Sequence, residues 1–252
     1  MKLKPVLSLS LMTLFLQVVH AQETGNHAGL PADSLPSAPS YKEAILAYTR
    51  SPGADSRLYN GTVYLGYDRH AQGYPFFLSD SALPGSVHYD GTFYPDVLLS
   101  FDLEKDIVIM PNKRKTVDIQ LLSEKIRWFT IGQHRFVNLS FQNNTVDAPA
   151  PGFYEELYSG KATALARHEK NLQIAGSKTE ENLSRYKQYD RYYLEVRGRF
   201  FAVHSNGSLL DAFDTGKDEI KNYLRKNRIR FNKNPEQALI MAAGYYSQLK
   251  KN

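Results

Sequence analysis

The chain has 252 residues, with 31 Lys and Arg against 26 Asp and Glu, a formal net charge of +5 that drops by two when Lys2 and Lys4 leave with the leader described below. So small a surplus excludes the broad basic footprint of a nucleic-acid binder. Cysteine is absent, which excludes disulfides, a thiol nucleophile, cysteine metal ligands and a lipidated cysteine anchor.

Lys2 and Lys4 precede an apolar run from Val6 to Val19, and Val19-His20-Ala21 supplies small residues at a cleavage site. This predicts a signal peptide over residues 1–21, cleaved after Ala21, because the run is shorter than the ~20 apolar residues of a membrane span. Export without disulfides or an anchor predicts a periplasmic or secreted protein with no membrane span in the mature chain. Residues 22–40 mix Gly, Pro, Ser and Ala, too little apolar surface to offset ordering, and read as a flexible linker. The remainder, residues 41–252, is expected to form a single β-rich globular domain of about 210 residues, long enough to bury its own core. Ser40 with Glu43 makes a capping box for a short N-terminal helix that Pro52-Gly53 stops.

From Leu58 to Phe213 the punctuation is by turn dipeptides, Asn60-Gly61, Asp90-Gly91 and Asn206-Gly207, each flanked by aromatic or β-branched residues as tight hairpins require. Val117, Ile119 and Leu121 alternate with polar residues, as do Tyr192, Leu194 and Val196, giving strands with one wet face. Asp106 to Met110, Lys125 to Ile131 and Arg135 to Leu139 read as further strands. Phe153 to Tyr158 and Ala162 to His168 flank Ser159-Gly160; one helix or a hairpin fits, and the hairpin is preferred. Tyr59 to Tyr64 echoes Tyr89 to Tyr94, which shared turn chemistry explains more simply than a duplicated unit.

Two helices end the chain. Thr215 is expected to cap Lys217 to Asn227. Asn234, with Pro235 at the first helical position and Gln237 at the third, opens a helix to Leu249 with an apolar stripe of Ala238, Met241, Ala242, Tyr245 and Leu249. Such a stripe needs a sheet to cover. The fold class is therefore α+β: a mostly antiparallel β meander, a curved sheet or partial barrel, with a short N-terminal helix and two C-terminal helices.

Few residues suggest chemistry. Asp214-Thr215-Gly216 after an apolar segment resembles the aspartic-protease turn, but that chemistry needs the turn twice or a dimer supplying the second copy; the sequence holds no second copy, and Lys217 follows where a small residue is usual. Asp102, Glu104 and Asp106 alternate as calcium ligands can; Ile107 and Lys113 stand where the loop would need Gly and a carboxylate, so a charged turn is expected. His70, His88, His134, His168 and His204 are scattered without metal-site spacing, and neither a nucleophile elbow nor a phosphate cradle is present. No catalytic, cofactor or metal residue is assigned. The runs Lys113-Arg114-Lys115 and Arg225 to Lys233 read as solvated turns and helix faces, and the sequons at Asn60 and Asn206 as by-products of turn chemistry. Tyrosine is abundant (17, against one Trp) and crowds Tyr41 to Tyr94, where strand packing accounts for most of it.

The stretch from Gly85 to Tyr94 running into Asp96 to Asp102, and then Phe153 to Lys161, resembles a group of uncharacterised exported proteins common in the Bacteroidota. The resemblance implies an exported envelope protein and brings no activity or site residues with it. The expected function is a non-enzymatic cell-envelope protein whose curved, aromatic-rich sheet binds a ligand or protein partner, without nucleic acid. The alternative is a hydrolase of the aspartic type using Asp214.

Overall fold

The computed structural model describes residues 58, 60–67, 71–111, 117–141, 147–174 and 184–249; the signal peptide, the linker and the N-terminal helix expected from the sequence lie outside them. The strands are β1 (Thr62–Val63), β2 (Leu83–Tyr89), β3 (Thr92–Asp102), β4 (Ile107–Met110), β5 (Ile119–Gln120) and β6 (Ile126–Ile131), then β7 (His134–Asn138), β8 (Phe153–Tyr158), β9 (Ala162–Gln173), β10 (Arg185–Val196) and β11 (Arg199–Val203). Helices α1 (Asn206–Asp211), α2 (Lys217–Lys226) and α3 (Pro235–Gln248) follow. The strands join in one 11-stranded sheet, ordered β1-β5-β4-β3-β2-β6-β7-β8-β9-β10-β11, which does not close on itself. Named strands pair antiparallel throughout, so the α+β meander is the architecture found.

Local chemistry sets the turns. Asp90 and Gly91 both hold positive φ (48° and 77°), as do Arg197 and Gly198 (52° and 77°), the two-residue geometry that matches strand twist. The hairpin read at Ser159-Gly160 forms as β8 and β9. Three expectations fail for identifiable reasons. Asn206-Gly207 opens a helix instead of a hairpin, because the Ser205 hydroxyl accepts the Ser208 N–H at 3.1 Å and the Ser208 hydroxyl accepts the Ser205 N–H at 2.9 Å. Asn60-Gly61 leads into a strand whose partner is distant β5, and a Cβ on Gly61 would strike the Gln120 carbonyl. Thr215 does not cap α2: Gly216, at φ 75°, occupies the cap position, and the Thr215 hydroxyl turns to Asp214 at 3.4 Å. Pro235 does open α3, without a side-chain cap from Asn234.

Directly opposed residues in paired strands share a face of the sheet, so the registers sort the core. One face carries two clusters. Around β2, β3, β6 and β7, Phe101, Phe129, Phe136 and Phe153 interlock at ring separations of 4.8–5.7 Å. Around β9 to β11, Ala162, Ala164, Leu194 and Val196 meet the helices. Alanine on both sides lets α3 lie close, with Ala238, Leu239, Ala242, Ala243 and Tyr246 buried. Tyr245, expected on the sheet, instead stacks on Tyr223 of α2 at 4.4 Å. The opposite face holds a smaller cluster of Tyr154, Leu165 and Phe200 with Tyr193.

Helix α2 ends in a six-residue closing motif: Ile229 N–H donates to the Leu224 carbonyl and Arg228 N–H to that of Arg225, both at 3.0 Å. Arg228 takes the left-handed position, φ 59°, where glycine is preferred. Arg228→Gly should therefore leave stability unchanged or raise it by up to about 1 kcal/mol in a urea titration, since relief of the Cβ clash exceeds the added freedom of the unfolded chain.

Candidate functional site

A row of hydrogen-bonded ionisable side chains crosses four adjacent strands on the face that holds both large clusters, at the seam between them. His168 on β9 stands opposite Asp190 on β10, while Glu155 on β8 lies diagonal both to His168 and to His134 on β7. His168 Nδ1 meets Asp190 Oδ1 at 2.6 Å, His168 Nε2 meets Glu155 Oε2 at 2.8 Å, and His134 Nδ1 meets Glu155 Oε1 at 2.6 Å. The Gln188 side-chain amide donates a further hydrogen bond to Asp190 Oδ1 at 2.9 Å. Phe77 lies within 5.5 Å of the rings of both histidines. Only 3% of the His168 side chain is exposed. Burial alone would depress its pKa, but the hydrogen bonds its ring donates to Asp190 and Glu155 outweigh it and raise the imidazolium pKa to about 9. Burial pushes the two carboxyls up, and their bonds to the histidines overcome it, leaving Glu155 and Asp190 below their ordinary values. With both ring nitrogens committed, His168 is a fixed cation that positions Asp190, and it has no lone pair to serve as a base.

Asp190 brings this row to the rim of a notch in the sheet. β9 pairs with all of β10, Arg185 to Val196, but β11 covers only Tyr192 to Val196. At the other end Gln72 bridges to Arg185, accepting the Tyr186 N–H at 3.1 Å and donating to the Ser184 carbonyl at 2.8 Å. These bonds fix the phase: even-numbered residues of β10 turn their main-chain groups toward this edge. Gln188 and Asp190 thus present theirs between Gln72 and Val203, and among the described residues no strand pairs with them there. A cleft of about 520 Å³ opens at the notch, lined by Tyr192, Tyr193, Phe231, His204, Arg191 and Pro235. It wraps the sheet edge, for Tyr192 packs edge-on against Phe231 at 5.7 Å on the helical face while Tyr193 packs against Tyr154 at 5.6 Å on the other. Burial, with Asp190 and Glu236 nearby, raises the Tyr192 hydroxyl, keeping it a neutral donor.

The residues flagged from the sequence lie elsewhere. Asp102 is fully buried and accepts from the Tyr64 hydroxyl at 3.0 Å, the Tyr67 hydroxyl at 2.8 Å and the Glu104 N–H at 2.9 Å. Asp106 faces Arg167 at 3.5 Å, its carboxyl raised by burial to about 6. The acidic triplet does not converge, and among the described residues no His or acidic group is arranged to hold a metal. Asp214 pairs with Arg197 and accepts the Tyr246 hydroxyl at 2.8 Å, which ties the β10–β11 turn to α3. Those partners lower its pKa, the Tyr246 bond foremost, whereas a shared-proton dyad requires a raised one. Of the tyrosines that crowd Tyr41 to Tyr94, Tyr89 and Tyr94 fill the core, as the strand-packing reading has it, while the rings that line the cleft, Tyr192, Tyr193 and Phe231, come from the far end of the chain. In the sequence His168 and His134 stand as isolated residues, since their partners lie 13 to 22 positions away. No protein-family model, no curated protein and no solved structure matches the chain.

Proposed function

We propose that the chain is an exported, non-enzymatic binding protein that takes up an extended peptide segment of an envelope partner by strand addition at the notch between Gln72 and Val203. The observation that supports this is the five-residue stretch Lys187 to Arg191 of β10, a main-chain edge that borders an aromatic cleft. At ~3.3 Å per residue that edge spans about 17 Å, room for a short strand. Main-chain bonds to Gln188 and Asp190 supply affinity, and alternate side chains of the added strand meet Tyr192 and Phe231 on one face and Tyr193 on the other, which supplies selectivity. Lys187 and Arg191 place charge along the edge and discourage indiscriminate self-pairing.

Gln188→Pro tests the reading, because it removes an N–H that points outward and costs the fold no ladder bond, only the exposed side-chain bond to Asp190. Peptides selected from a random library on the full chain should lose at least about tenfold in affinity for this variant, while its thermal midpoint stays within a few degrees of wild type. Failure to select any peptide, or equal binding by wild type and Gln188→Pro, would count against strand addition.

A further inference from the structure

We infer a second ligand site, independent of the notch: the groove between α1, α2 and the α2–α3 connection binds the phosphate head of an anionic membrane lipid, with the acyl chain along its floor. The groove has a volume of about 690 Å³, and its rim is formed by Lys221, Arg225, Arg228, Arg230 and Lys233. Beneath them Leu210, Leu224 and Ile229 make an apolar floor. From Ile220 to Asn234 there is no Asp or Glu.

Several exposed cations elsewhere in the domain have partners, Arg191 meeting Glu169 at 2.6 Å, Arg135 meeting Glu156 at 3.4 Å and Lys217 meeting Asp211 at 3.4 Å, whereas those unpaired among the described residues, such as Arg127 and Arg185, are not gathered over an apolar floor. None of the five rim cations is ion-paired among the described residues, and Arg225 bonds only the Asn222 amide at 3.1 Å. Complementing the helix dipole accounts for Arg225 in the last turn of α2. It does not account for Arg230 and Lys233, which lie beyond the helix, nor for Arg228 in a position that favours glycine. Concentrated cations without counter-ions over an apolar floor match one ligand chemistry, a phosphate that accepts several forked guanidinium bonds joined to a hydrocarbon chain. A bilayer surface presents that chemistry and attracts juxtaposed cations.

Vesicle flotation of the full chain decides it. Phosphatidylcholine vesicles containing phosphatidylglycerol should carry the protein upward, and pure phosphatidylcholine vesicles should not. At about fivefold per removed charge, Arg225→Gln with Arg228→Gly and Arg230→Gln should weaken capture about a hundredfold. Arg228→Gly alone should weaken it about fivefold with no loss of thermal stability, which separates lost binding from lost folding. Gln188→Pro should float like wild type, so the groove and the peptide notch fail or stand separately. Equal capture by both vesicle types, or capture unaffected by the triple substitution, would overturn the inference. So would full displacement by inorganic phosphate, which identifies a simple anion site, or binding to heparin without binding to vesicles, which identifies a polyanion.

Discussion

His168→Ala should destabilise the domain by about 3–5 kcal/mol in urea titrations near pH 6, the cost of leaving the buried Glu155 carboxylate without its main partner. The substitution removes the imidazolium that lies between Glu155 and Asp190 and leaves two carboxylates facing a void beside Phe77 and Phe136. His134 on one side and Gln188 on the other remain as partial compensation, and Glu236 adds a further negative group within electrostatic range. The pH dependence has a definite sign. A histidine raised from 6.5 to about 9 contributes its full stabilisation below pH 6.5 and loses it as pH climbs through 9. Glu155 and Asp190, held below their ordinary 4.5 and 3.8, contribute above those values and lose stability as pH falls. The row therefore stabilises most between about pH 4.5 and 6.5. Wild type should lose about 3 kcal/mol on the alkaline side, and His168→Ala should lack that step. A variant as stable as wild type at pH 6, or one that keeps the alkaline step, would show that the row is not ionised as described.

Ending the chain at Lys233 should yield a molten or aggregating product. The truncation removes all of α3, whose Leu239, Ala242, Ala243 and Tyr246 are buried, and uncovers Ala162, Ala164, Leu194, Val196 and Phe213. It also breaks the Tyr246 bond to Asp214 at 2.8 Å, the Ser247 hydroxyl bond from Lys161 N–H at 3.1 Å and the Lys161 ammonium bond to the Leu249 carbonyl at 2.6 Å. A contiguous apolar sheet face of this kind does not stay monomeric in water. Dye binding, loss of near-ultraviolet dichroism and early elution on gel filtration would report it. The point substitution Leu239→Ala, which preserves the helix, should cost about 2–4 kcal/mol through the cavity it leaves. A monomeric truncated chain that melts like the full protein would mean that α3 is an accessory and that the sheet face is closed by other contacts.

How far the fold could be read in advance varied with the range of the interaction responsible. Asp90-Gly91 specifies its hairpin, Pro235 opens α3 and the Tyr192-Leu194-Val196 alternation marks a half-buried strand, because each depends on neighbours within a few residues. The same locality explains the errors. Asn206-Gly207 carries a turn signal, but Ser205 and Ser208 form a capping box across it and the Asn206 side-chain Oδ1 accepts the Phe231 N–H at 2.9 Å, from a partner 25 positions away. Thr215 is a good cap by type, yet Gly216 alone fits the left-handed entry to α2.

The sequence by itself determined the class of the fold, a meander closed by terminal helices, and it displayed the basic run Arg225 to Lys233 as charge. The tertiary structure decided the rest. Opposition of His168 to Asp190, and its diagonal approach to Glu155, exist only once the β8, β9 and β10 registers are set; a shift of one residue would turn these groups to the other face. The notch exists because β11 stops seven residues short of the far end of β10, a difference between two strand lengths. The groove needs Leu210 from α1 beneath cations from α2 and beyond it. Periodicity and turn chemistry are local, whereas registers, strand ends and counter-ion distances are properties of packed partners, and that is why the elements were legible and the sites were not.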